Sequence, residues 1–154
     1  MVSQSRRNEI TPPVPVEHRM EIVRCVRGIN YIDDAMAHNS NMVWYAMECI
    51  DAPVVWITVG SDKIKSPNYT FLRPIIKEKV KVIINIGFET NNIEGAFMPV
   101  LNSIIKVDNL DEALFMAKRY AEGGDYVLFS PLCQLDGYDV IGRNFKKRVK
   151  NLSF

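Results

Sequence analysis

Val54-Val55-Trp56-Ile57-Thr58-Val59, entered from Pro53 and closed by Gly60, is the stretch on which the fold turns. Its residues are β-branched or aromatic, and it lacks the polar alternation of a half-exposed strand. A run of this length between turn residues suits a strand buried on both faces of a parallel sheet. Val80-Lys81-Val82-Ile83-Ile84-Asn85-Ile86, ended by Gly87, repeats the pattern, as does Asp125 to Ser130 after Gly123-Gly124. Ser103 to Val107 is a shorter strand.

Between these runs the apolar spacing lengthens to the helical period. Asn39 or Ser40 is placed to cap a helix with Met42, Val43, Ala46, Met47 and Ile50 on one side. Tyr69 to Lys79 carries the stripe Phe71, Leu72, Ile75 and Ile76, and Pro74 predicts an irregular first turn. Asn92 to Val100 reads as a short helix distorted by Gly95 and Pro99. Asn109 caps Leu110 to Glu122, and Gly142 to Leu152 reads as a terminal helix. Upstream, Met20 to Val26 and Ile29 to Asp33 alternate in the strand manner, and the Arg27-Gly28 turn predicts that they pair antiparallel.

Strands alternating with helical periods indicate βαβ units. The expected fold is a Rossmann-like, three-layer α/β sandwich. Its sheet is mostly parallel, of about six strands, with an antiparallel opening pair and helices on both faces. Residues 17–154 form this domain; residues 1–16, with Thr11-Pro12-Pro13-Val14-Pro15, read as a flexible tail or linker.

The chain has 154 residues, 47% hydrophobic and 24% charged, the balance of a soluble globular protein. Nineteen basic against eighteen acidic residues leave a net charge of +1, so no basic excess is available to replace phosphate counterions along a nucleic acid. No stretch approaches the ~18 apolar residues of a membrane span. The three cysteines, Cys25, Cys49 and Cys133, lack metal-ligand spacing and read as free thiols of a reducing, cytoplasmic compartment.

In an open parallel sheet, ligands bind beyond the carboxyl ends of the strands. That rule nominates residues 33–39, 60–68, 87–91 and 130–138. Asp33 and Asp34 point to opposite faces, so they are not a paired acid and base. Either one of them accepts hydrogen bonds from a ribose, or both belong to a solvated turn. His38 has no partner in the sequence. Lys63 offers a cation to an anionic substrate or is surface charge. Cys133 reads as a buried thiol rather than a nucleophile. No phosphate loop and no glycine-rich dinucleotide turn is present. Met36, Met42 and Met47 beside Trp44 and Tyr45 read as core packing rather than an interaction face. The basic run Arg143 to Lys150 reads as a docked helix with a solvated cationic face, since Phe145 and Val149 interrupt it at helical spacing.

Four segments, taken in order, carry a family resemblance. They are His18-Arg19-Met20-Glu21; Ile29-Asn30-Tyr31-Ile32-Asp33-Asp34; Pro53 to Ile57 with Gly60 and Asp62-Lys63; and Gly124-Asp125-Tyr126-Val127-Leu128-Phe129-Ser130-Pro131 with Cys133. Together they resemble the C-terminal domain of the Mur ligases, and among these the D-glutamate-adding enzymes of peptidoglycan synthesis. The resemblance implies ATP-dependent activation of a carboxylate to an acyl phosphate, followed by attack of an amine. It implies ATP and magnesium held mainly by a central domain that these residues do not include, so the chain is not active alone. The implied partners are that central domain, in cis or in trans, and a small amino acid or nucleotide.

Arg19 and Asp34 match the nucleotide-binding arginine and aspartate of the family. His38, Asn39, Lys63 and Tyr138 fall at or near its amino-acid-binding positions. The resemblance carries over no catalytic residue and no metal ligand. The family's Asn-Asp-Ser-Lys-Ala-Thr-Asn run stands here as Asp33-Asp34-Ala35-Met36-Ala37-His38-Asn39, so a substrate-binding lysine has become Met36 and a threonine His38. After Ser130-Pro131, the stretch Leu132-Cys133-Gln134-Leu135-Asp136 is shorter than its counterpart and lacks a serine. The alternative is a diverged, non-catalytic module that kept the fold and binds a small ligand, a nucleotide or a protein.

Overall fold

Arg27 and Gly28 both adopt positive φ, 53° and 79°, the twist that a two-residue hairpin turn requires. They join β1 (Glu21–Val26) to β2 (Ile29–Asp33) as an antiparallel pair. A side chain at Gly28 would meet Gly123 Cα at 3.3 Å, so the turn also needs glycine for close approach. The computed structural model describes residues 16–59, 66–87, 91–132 and 136–153. Nearly all of the expected tail, together with Lys63 and Cys133, lies outside them.

The remaining strands are β3 (Val54–Val59), β4 (Val80–Ile86), β5 (Ile104–Val107) and β6 (Tyr126–Phe129). They run parallel to one another and to β2, in the spatial order β1-β2-β6-β3-β4-β5. β3 is buried along nearly its whole length, as its unbroken apolar run requires. Trp56, Ile83 and Leu128 face one core with helix α1 (Ser40–Cys49), the 3-10 helix Ser66–Leu72, α2 (Arg73–Lys79) and α3 (Asn91–Phe97). Val55, Ile57, Ile84 and Phe129 face the other, with α4 (Leu110–Tyr120) and α5 (Tyr138–Lys150). The three-layer sandwich is as expected.

Local chemistry sets the helix ends. Asn39 Oδ1 accepts from Met42 N at 2.9 Å, and Asn109 Oδ1 accepts from Glu112 N at 2.9 Å. Distant cations close two C-termini. Lys79 Nζ donates to Met47 O and Ile50 O at 2.8 and 2.7 Å, and Arg24 donates to Val149 O, Lys150 O and Leu152 O at 3.0–3.1 Å. Pro74 sits in the first turn of α2, and the residues before it form the 3-10 helix instead of continuing the α-helix.

Two readings are corrected. The stripe of α1 is Val43, Ala46 and Met47, so Trp44 and Tyr45, one and two positions on, face outward and are 39% and 54% exposed. The terminal helix begins at Tyr138, not Gly142, because Gly137 at φ 69° sets up its first turn. Phe145 and Val149 are buried beneath α5 with its cations outward, and Cys25 and Cys49 are free and exposed. Among the described residues, no helix is long and apolar enough to cross a membrane.

Candidate functional site

Strand order places a crevice beside β6. The chain leaves β2 toward α1 on one face of the sheet and leaves β6 toward α5 on the other. Neighbouring strands whose connections part in this way open the crevice in which α/β sheets bind ligands. Asp34 directly follows β2 and Ser130 directly follows β6, and Ser130 Oγ donates to Asp34 Oδ2 at 2.8 Å.

Asp34 is fully buried and heavily bonded. Arg19 Nη1 donates to Oδ1 at 2.7 Å, and Met20 N donates to the same oxygen at 3.1 Å. Burial pushes the Asp34 carboxyl above the ordinary carboxylate range, against the pull of Arg19 and Ser130. The Arg19 guanidinium lies 5.5 Å from the centroid of the Tyr45 ring, a cation–π contact, and its side chain keeps 22% exposure.

Asp33, one residue earlier, turns to the other face. His18 Nδ1 donates to Asp33 Oδ2 at 2.6 Å, and Ala35 N donates to Oδ1 at 3.0 Å. Burial again raises this carboxyl, while His18 opposes it. The two dipeptides His18-Arg19 and Asp33-Asp34 thus pair residue for residue, one pair on each face. The solvated-turn reading of the two aspartates is overturned, since both are 0% exposed. The chain preceding β1 folds back over the strand end, a tertiary contact that no local pattern announces.

The remaining candidates are spread over the edge. Asn39 is exposed and spends its side-chain oxygen on the α1 cap; His38 is exposed, and its Nδ1 donates to Met36 O at 3.2 Å. Tyr138 packs edge-on against His18, centroids 6.1 Å apart, on the α5 side. Lys63 lies outside the described residues. His18 was quoted above only as part of a motif; its signal was the matching of the two dipeptides.

A second set of residues went unread. In register, Asp33 pairs with Phe129, Phe129 with Ile57, and Ile57 with Ile84. The next residue on each strand gives one row across the carboxyl edge: Asp34, Ser130, Thr58 and Asn85, all 0% exposed. By the two-residue period, Thr58 and Asn85 share the face of Trp56 and Ile83. Their polar atoms, Thr58 Oγ1 and Asn85 Oδ1 and Nδ2, have no hydrogen-bond partner among the described residues.

Glu17, His18 and Glu21 bring ligand-type atoms within 4.8 Å of one another, but Lys146 Nζ already ion-pairs both glutamates, at 2.7 and 3.1 Å. Asp33 and Asp34 are consumed by His18, Arg19, Ser130 and backbone amides, so they do not fit a magnesium ion. Arg19 does fit a nucleotide: its partly exposed fork has donors beyond the one given to Asp34.

No family model matches the chain. Over 141 residues it is 38% identical to the UDP-N-acetylmuramoylalanine–D-glutamate ligase of Christiangramia forsetii, covering 89% of this chain and 31% of that protein. It is also 38% identical to the ligase of the same name from Chloroherpeton thalassium, covering 89% of this chain and 30% of the relative. The chain therefore spans less than a third of the length of these curated relatives. Its fold is similar to that of a murein peptide ligase from Psychrobacter arcticus, with a TM-score of 0.63 at 16% identity over 90% of this chain and 31% of that one. It is likewise similar to a MurF ligase from Thermotoga maritima solved in complex with ADP, with a TM-score of 0.59 at 14% identity over 97% of this chain and 36% of that one. In sequence and in fold, the chain resembles the C-terminal domain of the Mur ligases.

Proposed function

We propose that the chain serves as the C-terminal domain of an ATP-dependent ligase of the UDP-N-acetylmuramoylalanine–D-glutamate type, in the cytoplasmic stage of peptidoglycan synthesis. It works with a central domain, in cis or in trans, that holds most of the ATP and the magnesium. The observation that carries this reading is the Arg19–Asp34 pair at the crevice beside β6. Asp34, gripped by Ser130 and the Met20 amide, aims the guanidinium and leaves its other donors for anionic or ribose oxygens. His38, Asn39, Lys63 and Tyr138 are assigned to the amino-acid side on the strength of their positions in the motif. ATP, when bound, would supply the phosphoryl group that activates the precursor's carboxylate, leaving as ADP; this chain's part is to position the nucleotide and the incoming amine.

The test is a chimera in which this chain replaces the C-terminal domain of the Christiangramia forsetii ligase. Phosphate release from ATP is measured with the muramoyl precursor and either D-glutamate or D-glutamine. We expect turnover in the chimera, a large loss with Arg19→Ala, and none from the chain alone. A folded chimera that binds ATP but releases no phosphate with either amino acid would leave a non-catalytic binding module as the better reading.

A further inference from the structure

We infer that Tyr45 is the platform on which the base of the bound nucleotide stacks, beside Arg19, which takes the ribose or phosphate oxygens. This rests on the reading of Arg19 as the nucleotide-binding arginine of a ligase domain, and it adds the subsite for the base.

Helix α1 has no packing use for an aromatic ring at this position. Its buried stripe is Val43, Ala46 and Met47, and Tyr45 stands off that stripe with 54% of its surface exposed. A tyrosine ring left in water keeps a large apolar area uncovered. Among the described residues the partner of the ring is the Arg19 guanidinium, over it at 5.5 Å from the centroid. That contact leaves more than half of the residue open.

Arg19 is itself held in place. Its Nη1 donates to Asp34 Oδ1 at 2.7 Å, and Asp34 is fixed in turn by Ser130 Oγ at 2.8 Å and Met20 N at 3.1 Å. A flat apolar face and the remaining guanidinium donors therefore stand side by side at the carboxyl edge of the sheet. The face is carried by a helix, and the donors are aimed by a buried carboxylate.

The two together select the ligand class. The donors suit anionic or hydroxyl oxygens, in a fixed fork. The ring suits a flat π-system, whose stacking on an aromatic side chain does not depend on a hydrogen-bond pattern. A nucleotide joins both features, with its base on one side of the ribose and its phosphates on the other. An amino acid such as D-glutamate brings carboxylates but no flat face, and would leave the ring in water. Since Tyr45 lies on open surface, the other side of the base is left to the central domain.

The experiment uses the chimera with the Christiangramia forsetii ligase, with ADP and inorganic pyrophosphate as inhibitors competing with ATP. Tyr45→Ala should raise KM for ATP and weaken ADP by about tenfold, within the range for losing one stacked base, and leave kcat and pyrophosphate inhibition as they are. Tyr45→Phe should behave as the parent, because the stack needs the ring and not the hydroxyl. Equal weakening of ADP and pyrophosphate would show that the ring only steadies Arg19, and would overturn the proposal. A fall in kcat with KM for ATP unmoved would make this face a seat for the central domain, and would overturn it too. So would a Tyr45→Ala chimera indistinguishable from the parent, a result that leaves the ligase reading standing. In a chimera without turnover, calorimetry with the same two ligands judges the base subsite apart from the ligase reading. A loss confined to ADP in Tyr45→Ala supports it, and no such loss, or no binding of ADP by the parent, sinks it.

Discussion

His18 donates to Asp33 at 2.6 Å while its ring rests against the backbone of α5 at Gly142. A Cβ built on Gly142 would fall 2.2 Å from His18 Nδ1 and 2.6 Å from Cε1. The glycine inside this helix is thus a steric requirement of the histidine, which itself sits at a positive φ of 67°. Its helix-weakening cost is offset by the buried pair that it admits.

Gly142→Ala should therefore destabilise the fold by about 1–3 kcal/mol, the range for overpacking a filled site. The gain in helix propensity does not compensate, because the methyl evicts the ring from Asp33. In the His18→Ala background the same substitution should be neutral or stabilising. Urea unfolding of the two singles and the double gives the coupling energy. Additive effects would show that the helix does not press on the ring.

Arg19→Ala removes the cation from a carboxylate that is 0% exposed. A fully buried charge left alone costs about 3–5 kcal/mol. Asp34, already raised by burial, can take up a proton instead, so the expected cost is about 2 kcal/mol, nearer the price of an unmade bond. Arg19→Lys should recover part of it, since a single ammonium replaces one arm of the fork but not the stacking on Tyr45. Equilibrium unfolding of the three proteins decides this; an Arg19→Ala chain as stable as the parent would mean that the pair contributes nothing to the fold.

Most of the architecture was legible because it is local. Arg27-Gly28 announces a two-residue hairpin, Asn39 and Asn109 announce helix starts, and Val54 to Val59 announces a doubly covered strand. What escaped was decided between segments distant in the chain. Gly142 was read as a helix start, because its role depends on a ring 124 positions earlier. Asp33 and Asp34 looked like a solvated turn until residues 17–20 folded over them. Thr58 and Asn85 passed as strand residues, since only strand register puts two polar groups opposite each other in the core.

Asp33 and Asp34 should also leave a signature in pH. Burial raises both above the ordinary carboxylate range despite His18 and Arg19, so the folded chain holds its protons more tightly than the unfolded one. In the window between the ordinary and the raised values the native state binds more protons. The stability contributed by these groups therefore falls as pH rises through that window and is greatest below it. The difference in unfolding free energy between the parent and Asp34→Asn, followed by urea titration across the acid range, should shrink as pH increases. A difference that grows with pH would show that Arg19 outweighs burial and that the carboxyl is depressed.

Met36 offers the last test, in the opposite direction to loss of function. Its amide donates to His18 O at 3.0 Å, so the side chain leaves the same fold-over that carries Arg19, and it is half-buried. If this edge receives an amino acid, Met36→Lys supplies the positive charge that a second carboxylate lacks. A charge-assisted bond contributes about 1.5–3 kcal/mol, so D-glutamate should tighten by on the order of tenfold or more. D-glutamine should gain little, because its amide brings no charge to the new ammonium. Calorimetry of both ligands on the parent and the variant separates the two effects. A lysine that tightens both equally would be acting on the shared α-carboxylate, and one that tightens neither would place the amino acid away from residues 33–39.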